Sequence, residues 1–177
     1  ERVREEAIRA ARGIARECRR TIASLHRGAD AGREMQEAER LYGSLRTLLA
    51  GFPDLLHSGY LIAAQQELVE ANMLLAMITG SDLPDPDTLR VSDEAYLLGL
   101  GDAIGEMRRL LLDMLLGGRI DEAGDMLDKM EQFCTVLMSF DYPEALFMCF
   151  GSGITCGALA LYDFDLIDAV ETVSYTH

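Results

Sequence analysis

Two pairs of carboxylates stand at helical spacing. Glu67 and Glu70 are three residues apart in the run QQELVEA, and Asp102 and Glu106 are four apart in GLGDAIGE. At 100° of rotation per residue, each pair projects from one helix face, about 60° apart in the first pair and about 40° apart in the second. If the two helices pack antiparallel, four carboxylates converge. Burying several like charges together is very costly without a counter-ion. A hard divalent cation with oxygen ligands, Mg²⁺ or Mn²⁺, is the natural partner. Such an ion activates a water and offsets charge on a phosphoryl oxygen, which is the chemistry of phosphodiester hydrolysis. The competing reading is that these acids pair with Arg108, Arg109 or the arginines of the first helix, and spacing alone does not choose between the two. No Glu-x-x-His occurs, which argues against a di-iron centre of the ferritin kind.

A second group of residues suits phosphate. Arg2, Arg9, Arg12, Arg16, Arg20 and Arg27 fall within a helical stripe roughly 80° wide, opposite the apolar side of the first helix. Glu5 and Glu6 lie near its N-terminal end, and Glu1 and Glu17 lie off its centre. Arginine matches phosphate in bidentate geometry, and such a stripe can track a single strand without reading sequence. Arg9, Arg12, Arg16, Arg19, Arg20 and Arg27 are therefore the candidate phosphate contacts, set against the plainer reading of a solvated charged face. The three histidines, His26, His57 and His177, form no arrangement suited to nucleophilic catalysis.

The elements that must position these groups read as helices. Residues 1–27 form the first, with Val3, Ala7, Ala10, Ala11, Ile14, Cys18, Thr21, Ile22 and Leu25 on its apolar side and Gly28 as its stop. The second runs from about residue 31 to 50, with Met35, Ala38, Leu41, Leu45, Leu48 and Leu49 inward, and Gly51-Phe52-Pro53 ends it. The third, about 54–78, is apolar all round, as expected of a buried helix. A turn-rich loop follows at 80–87. Ser92 caps the fourth helix, with Asp93 and Glu94 in its first turn. Gly99, Gly101 and Gly105 inside that helix predict close approach by a neighbouring backbone. A fifth helix covers about 120–140. No β-alternation, P-loop or GxGxxG occurs, so the expected fold is an all-α bundle of long helices joined by short loops.

Composition bounds the rest. The 177 residues are 49% hydrophobic and 26% charged, which excludes a wholly disordered chain. Net charge is −14 but uneven: residues 1–46 carry a balance of +3 and the remainder −17. A bulk acidic protein is a poor non-specific polyanion binder, so any nucleic-acid contact must be local. Four cysteines at 18, 134, 149 and 156 show no zinc or disulfide spacing and read as reduced thiols, so a cytoplasmic protein is expected. The opening ERVREEAIRAA has no signal-peptide pattern, and without a leading Met the numbering is expected to begin inside a longer chain. Residues 145–162 carry no charge, yet glycines dilute the run and no basic flank follows, so no membrane span is expected.

Four stretches taken together resemble the translin family, in its translin-associated factor X branch and that branch's archaeal relatives. They are RRTIASLHR at 19–27, QELVEA at 66–71, DEAYLLGLGDAIGEMR at 93–108 and FDYP at 140–143. The match spans residues 1–146, a translin-like helical domain. Residues 147–177 form a divergent C-terminal segment, where an uncharged Gly-rich run and an acidic stretch replace the family's basic helix. The resemblance implies an all-α fold assembling into a barrel-like oligomer, often an octamer, with nucleic acid inside. The family's catalytic, Mg²⁺-holding acids fall on Glu67, Glu70, Asp102 and Glu106, the same four that helical geometry groups.

The resulting expectation is an Mg²⁺- or Mn²⁺-dependent endoribonuclease acting on single-stranded RNA, with single-stranded DNA as a further ligand. It would work as a homo-oligomer or in complex with a related translin subunit. Two alternatives stand beside it. One is a non-catalytic oligomer that binds nucleic acid. The other is an all-α nucleoside triphosphate pyrophosphohydrolase, whose motif fits less well because Gln66 takes the place of its leading acid.

Overall fold

The computed structural model describes residues 1–138, with side chains to residue 133. The FDYP run, the uncharged stretch and the whole of 147–177 lie outside the described residues. Among the described residues the regular elements are all helical, as expected.

Helix α1 (Arg2–His26) buries Ala7, Ala11, Ile14, Cys18, Ile22 and Leu25. These positions repeat at three and four residues and lie on the apolar side read from the sequence, where Thr21 is buried as well, while Val3 and Ala10 are only half-buried. Gly28 ends the helix at φ 65°, and the Ala29 N–H returns to the Ser24 carbonyl at 3.0 Å. Helix α2 (Gly32–Leu49) buries Met35, Ala38, Tyr42, Leu45 and Leu49. Leu41 and Leu48, expected inward, are half-buried. The 3-4-3-4 repeat runs through Tyr42 instead, leaving those leucines one position off the seam.

The third helix begins later than the spacing suggested. Pro53 opens a separate 3-10 turn, Pro53–Leu55, and the Ser58 hydroxyl donates to the Leu55 carbonyl at 2.7 Å. Ser58 itself is extended (φ −76°, ψ 138°), which interrupts helical continuation, so α3 is Gly59–Thr79. It ends at Gly80, φ 70°. Buried residues surround α3: Leu61, Leu68, Val69, Met73, Leu74 and Met77 lie on different sides of the cylinder. It is long and apolar enough to cross a membrane, but over half of that window is buried within the structure, as in a core helix.

The turn-rich loop contains one further helical turn, α4 (Pro86–Leu89). The Asp85 carboxylate caps it by accepting from the Thr88 N–H at 2.6 Å. Helix α5 (Asp93–Leu116) starts at the expected cap, where the Ser92 Oγ accepts from the Ala95 N–H at 3.3 Å. Helix α6 is Ile120–Met138.

The chain divides into two compact units within α5, Glu1–Ala103 and Ile104 onward. In the first, α1 packs on both α2 and α3. In the second, Ile104, Met107 and Leu111 of α5 and Ala123, Met126, Met130 and Phe133 of α6 are buried.

Candidate acidic site

The rotation of α3 is set by one buried amide. Gln65 donates through Nε2 to the Tyr42 hydroxyl at 2.8 Å, and that hydroxyl donates to the Arg90 carbonyl at 2.6 Å. The Gln65 Oε1 accepts from the Ser92 N–H at 3.3 Å and from its Oγ at 3.1 Å. A buried polar group must be bonded or it costs stability, so this set of partners ties α2, α3 and the start of α5 in one arrangement. Gln66, the next residue on α3, is thereby turned toward α5.

Gly99 brings α5 close. A Cβ there would sit 2.6 Å from the Gln66 carbonyl oxygen and 2.6 Å from the Val69 Cβ, so only glycine fits. The close approach read from the sequence is met at this position; at Gly105 nothing lies within 4 Å. Three residues beyond Gly99, Asp102 Oδ2 accepts from Gln66 Nε2 at 2.6 Å.

Glu67 follows Gln66 and is half-buried. Arg19 of α1 donates to its Oε1 at 2.7 Å. Burial pushes the Glu67 carboxyl above the usual carboxylate range; Arg19 opposes that shift, and Asp102 adds to it. Glu70 lies with Glu67 on the side toward α1. Burial, then the charges of Glu67 and Glu70, push the Cys18 thiol up to about 12. Such a thiol stays protonated and serves neither as nucleophile nor as thiolate ligand. Glu106 belongs to the second unit, where Arg109 reaches it at 3.5 Å.

All six candidate arginines are exposed. They are not equally available. Glu17, read as lying off the centre of the stripe, is buried at 6% exposure and holds both Arg16 (3.1 Å) and Arg20 (3.0 Å). Arg19 is held by Glu67, and Arg27 donates to the Ser24 hydroxyl at 3.2 Å. Among the described residues, Arg9 and Arg12 have no acidic partner. Tyr96 donates to the Pro84 carbonyl at 3.0 Å, the role of a packing aromatic.

Among the described residues no three His, Cys, Asp or Glu side chains are grouped closely enough to hold a metal ion. Glu67 is turned to Arg19 and Asp102 to Gln66. In kind, the donors fit a hard divalent cation. They are carboxylate oxygens, the adjacent thiol is kept protonated, and a cationic guanidinium already stands against the half-buried Glu67. Sequence reasoning missed Gln66 as a partner of Asp102 and Glu17 as a buried anchor. The spacing of Gly99 three residues before Asp102 was the available signal for the first.

No family model matches the chain. It is 34% identical over 143 residues to an uncharacterized protein of Methanocaldococcus jannaschii, a match covering 79% of this chain and 64% of that protein. The chain thus spans less than two thirds of that relative's length. Three solved structures share its fold. Apo-NeC3PO superposes with a TM-score of 0.83 at 20% identity, covering 98% of this chain and 90% of that one. AfC3PO gives 0.81 at 25% identity, with the same two coverages. AfC3PO in complex with duplex RNA gives 0.75 at 24% identity, covering 100% and 92%. The resemblance to the translin family in its archaeal-type branch therefore extends across the fold.

Proposed function

We propose that this translin-type chain is a subunit of a metal-dependent endoribonuclease. The observation that carries the reading is the meeting of α3 and α5 at Gly99. There Gln66, the neighbour of Glu67 on α3, donates to Asp102 of α5 at 2.6 Å, and Arg19 of the basic helix donates to Glu67 at 2.7 Å. Glu67, Glu70 and Asp102 would hold Mg²⁺ or Mn²⁺. Glu106 is the fourth acid that the resemblance to the translin family implies. When bound, the ion would lower the pKa of a water and offset charge on a phosphoryl oxygen.

The chain's own groups do the rest. Gln66 orients the Asp102 carboxylate through its amide N–H. Arg9 and Arg12 offer phosphate contacts that no acid among the described residues engages. The Cys18 thiol, buried behind Glu67 and Glu70, packs as a neutral group. RNA as substrate is supported by the likeness to AfC3PO, a protein with a solved structure in complex with duplex RNA. Assembly into a barrel-like oligomer, alone or with a related subunit, is proposed from the same likeness. Single strands are the proposed substrate for cleavage, since an arginine stripe follows a backbone without requiring a duplex.

The test is cleavage of labelled single-stranded and duplex RNA in Mg²⁺ and in EDTA. Cleavage in Mg²⁺ that stops in EDTA, and that is lost in Glu70→Ala and Asp102→Ala, is the expected result. Equal cleavage with and without chelator would reject the metal mechanism, and unimpaired variants would reject the site. A second reading, a non-catalytic RNA-binding oligomer, is favoured by the engagement of Glu67 and Glu106 with arginines. It expects salt-dependent binding without turnover, unchanged when the four acids become Ala.

A further inference from the structure

The arginines of α1 differ in what holds them. Arg16 and Arg20 share Glu17, a carboxylate on their own helix. Arg19 instead crosses to another helix and takes Glu67, 48 positions away in sequence. Its side chain is 61% exposed, whereas that of Glu67 is 28% exposed. An ion pair with one partner largely in water is weak and exchanges readily, because water and salt compete for the cation. Glu67 is the stationary member: α3 is pinned through Gln65, and burial penalises leaving its charge unmatched. A cation is therefore favoured at Glu67, while Arg19 itself can leave. A divalent ion is a stronger counter-charge for a carboxylate, and an RNA phosphate is a matched alternative partner for a guanidinium.

We propose that Arg19 is an exchangeable counter-ion of the acidic site. It occupies Glu67 in the metal-free protein. It is displaced when a divalent cation takes that carboxylate, and it then engages an RNA phosphate. Metal and RNA binding are coupled through this one side chain. The inference rests on the metal-site reading above. Coupling between two ligands is reciprocal, so RNA that draws Arg19 away must tighten metal binding by the same factor by which metal tightens RNA binding. Arg19 acts here through Glu67 and is a positioning residue.

The experiment measures Mn²⁺ binding to the full chain from the electron paramagnetic resonance signal of the free ion. It is run with and without a single-stranded 2′-O-methyl oligonucleotide, whose integrity over the measurement is checked by gel electrophoresis. Wild type, Arg19→Gln and Arg19→Lys are compared, with helical content checked by circular dichroism. Arg19→Gln removes the competitor and is expected to bind Mn²⁺ more tightly than wild type in the absence of RNA. The oligonucleotide is expected to tighten Mn²⁺ binding to wild type by about fivefold or more, and to leave Arg19→Gln nearly unchanged. Arg19→Lys keeps a cation and is expected to follow wild type. Equal Mn²⁺ affinity in wild type and Arg19→Gln, or coupling that survives in Arg19→Gln, would overturn the exchange while leaving the metal site standing. Absence of Mn²⁺ binding in all three would overturn the metal reading and the exchange with it.

Discussion

Arg19 Nη1 meets Glu67 Oε1 at 2.7 Å, joining the basic face of α1 to the acidic face of α3. The two groups that the sequence assigns to different tasks, phosphate contact and metal ligation, are in this fold each other's partner. The half-buried carboxylate has a cation beside it, and its pKa is nonetheless raised, since burial is the largest influence on it.

That shift gives stability a pH dependence with a definite sign. A raised carboxyl pKa means the folded protein holds the proton more tightly than the unfolded chain. The contribution of Glu67 is then full below the ordinary value of 4.5 and is lost as pH rises through the folded value. Denaturant midpoints measured across this range without divalent metal should show that loss in wild type. Glu67→Gln, which has no charge to bury, should flatten it.

Cys18 should be inert in the folded protein. Its thiol moves from 9.0 to about 12, so its stabilising contribution is full below pH 9.0 and declines as pH rises toward 12. In a variant that keeps only Cys18, a disulfide thiol reagent at pH 8 should label the protein only after denaturant is added. Rapid labelling under native conditions would contradict this burial.

Gly99 and Gly105 should respond in opposite directions to the same substitution. Gly99→Ala drives a methyl into a backbone carbonyl, which has little room to yield, and should cost about 1–3 kcal/mol. Gly105→Ala meets open space within a helix and should add about 0.5–1 kcal/mol. Urea unfolding of the two variants checks both values. Loss of RNA cleavage is also expected in Gly99→Ala, because Asp102 is carried on the displaced turn.

Arg9 and Arg12 should matter most to the salt dependence of RNA binding. Each phosphate contact on a single strand contributes about 0.7 to the slope of log affinity against log salt. Arg9→Ala and Arg12→Ala should each lower the slope by about that amount. Arg16→Ala and Arg20→Ala should lower it less, since Glu17 already offsets part of their charge. Binding titrations between low and physiological salt separate these cases.

Much of this protein was legible without coordinates. The repeat of Ala7, Ala11, Ile14, Cys18, Ile22 and Leu25 specifies the inward face of α1, because a helix turns 100° per residue whatever surrounds it. The same rule places Glu67 with Glu70 and Asp102 with Glu106, and glycine and proline marked most helix ends. The start of α3 was misjudged since the 3-10 turn at Pro53 depends on a local hydroxyl bond at Ser58 rather than on periodicity.

What only the tertiary structure decided is which faces meet. Periodicity specifies the angle between residues on one helix but not the rotation of that helix against its neighbours. Here the rotation comes from the buried Gln65 amide and from the absent side chain at Gly99. Those two contacts choose Gln66 for Asp102. The packing of α1 on α3 chooses Arg19 for Glu67 and leaves Glu17 buried between its own arginines. An arginine is long enough to reach acids on either side of its helix, so its partner is set by the packing around it and not by its position in the chain.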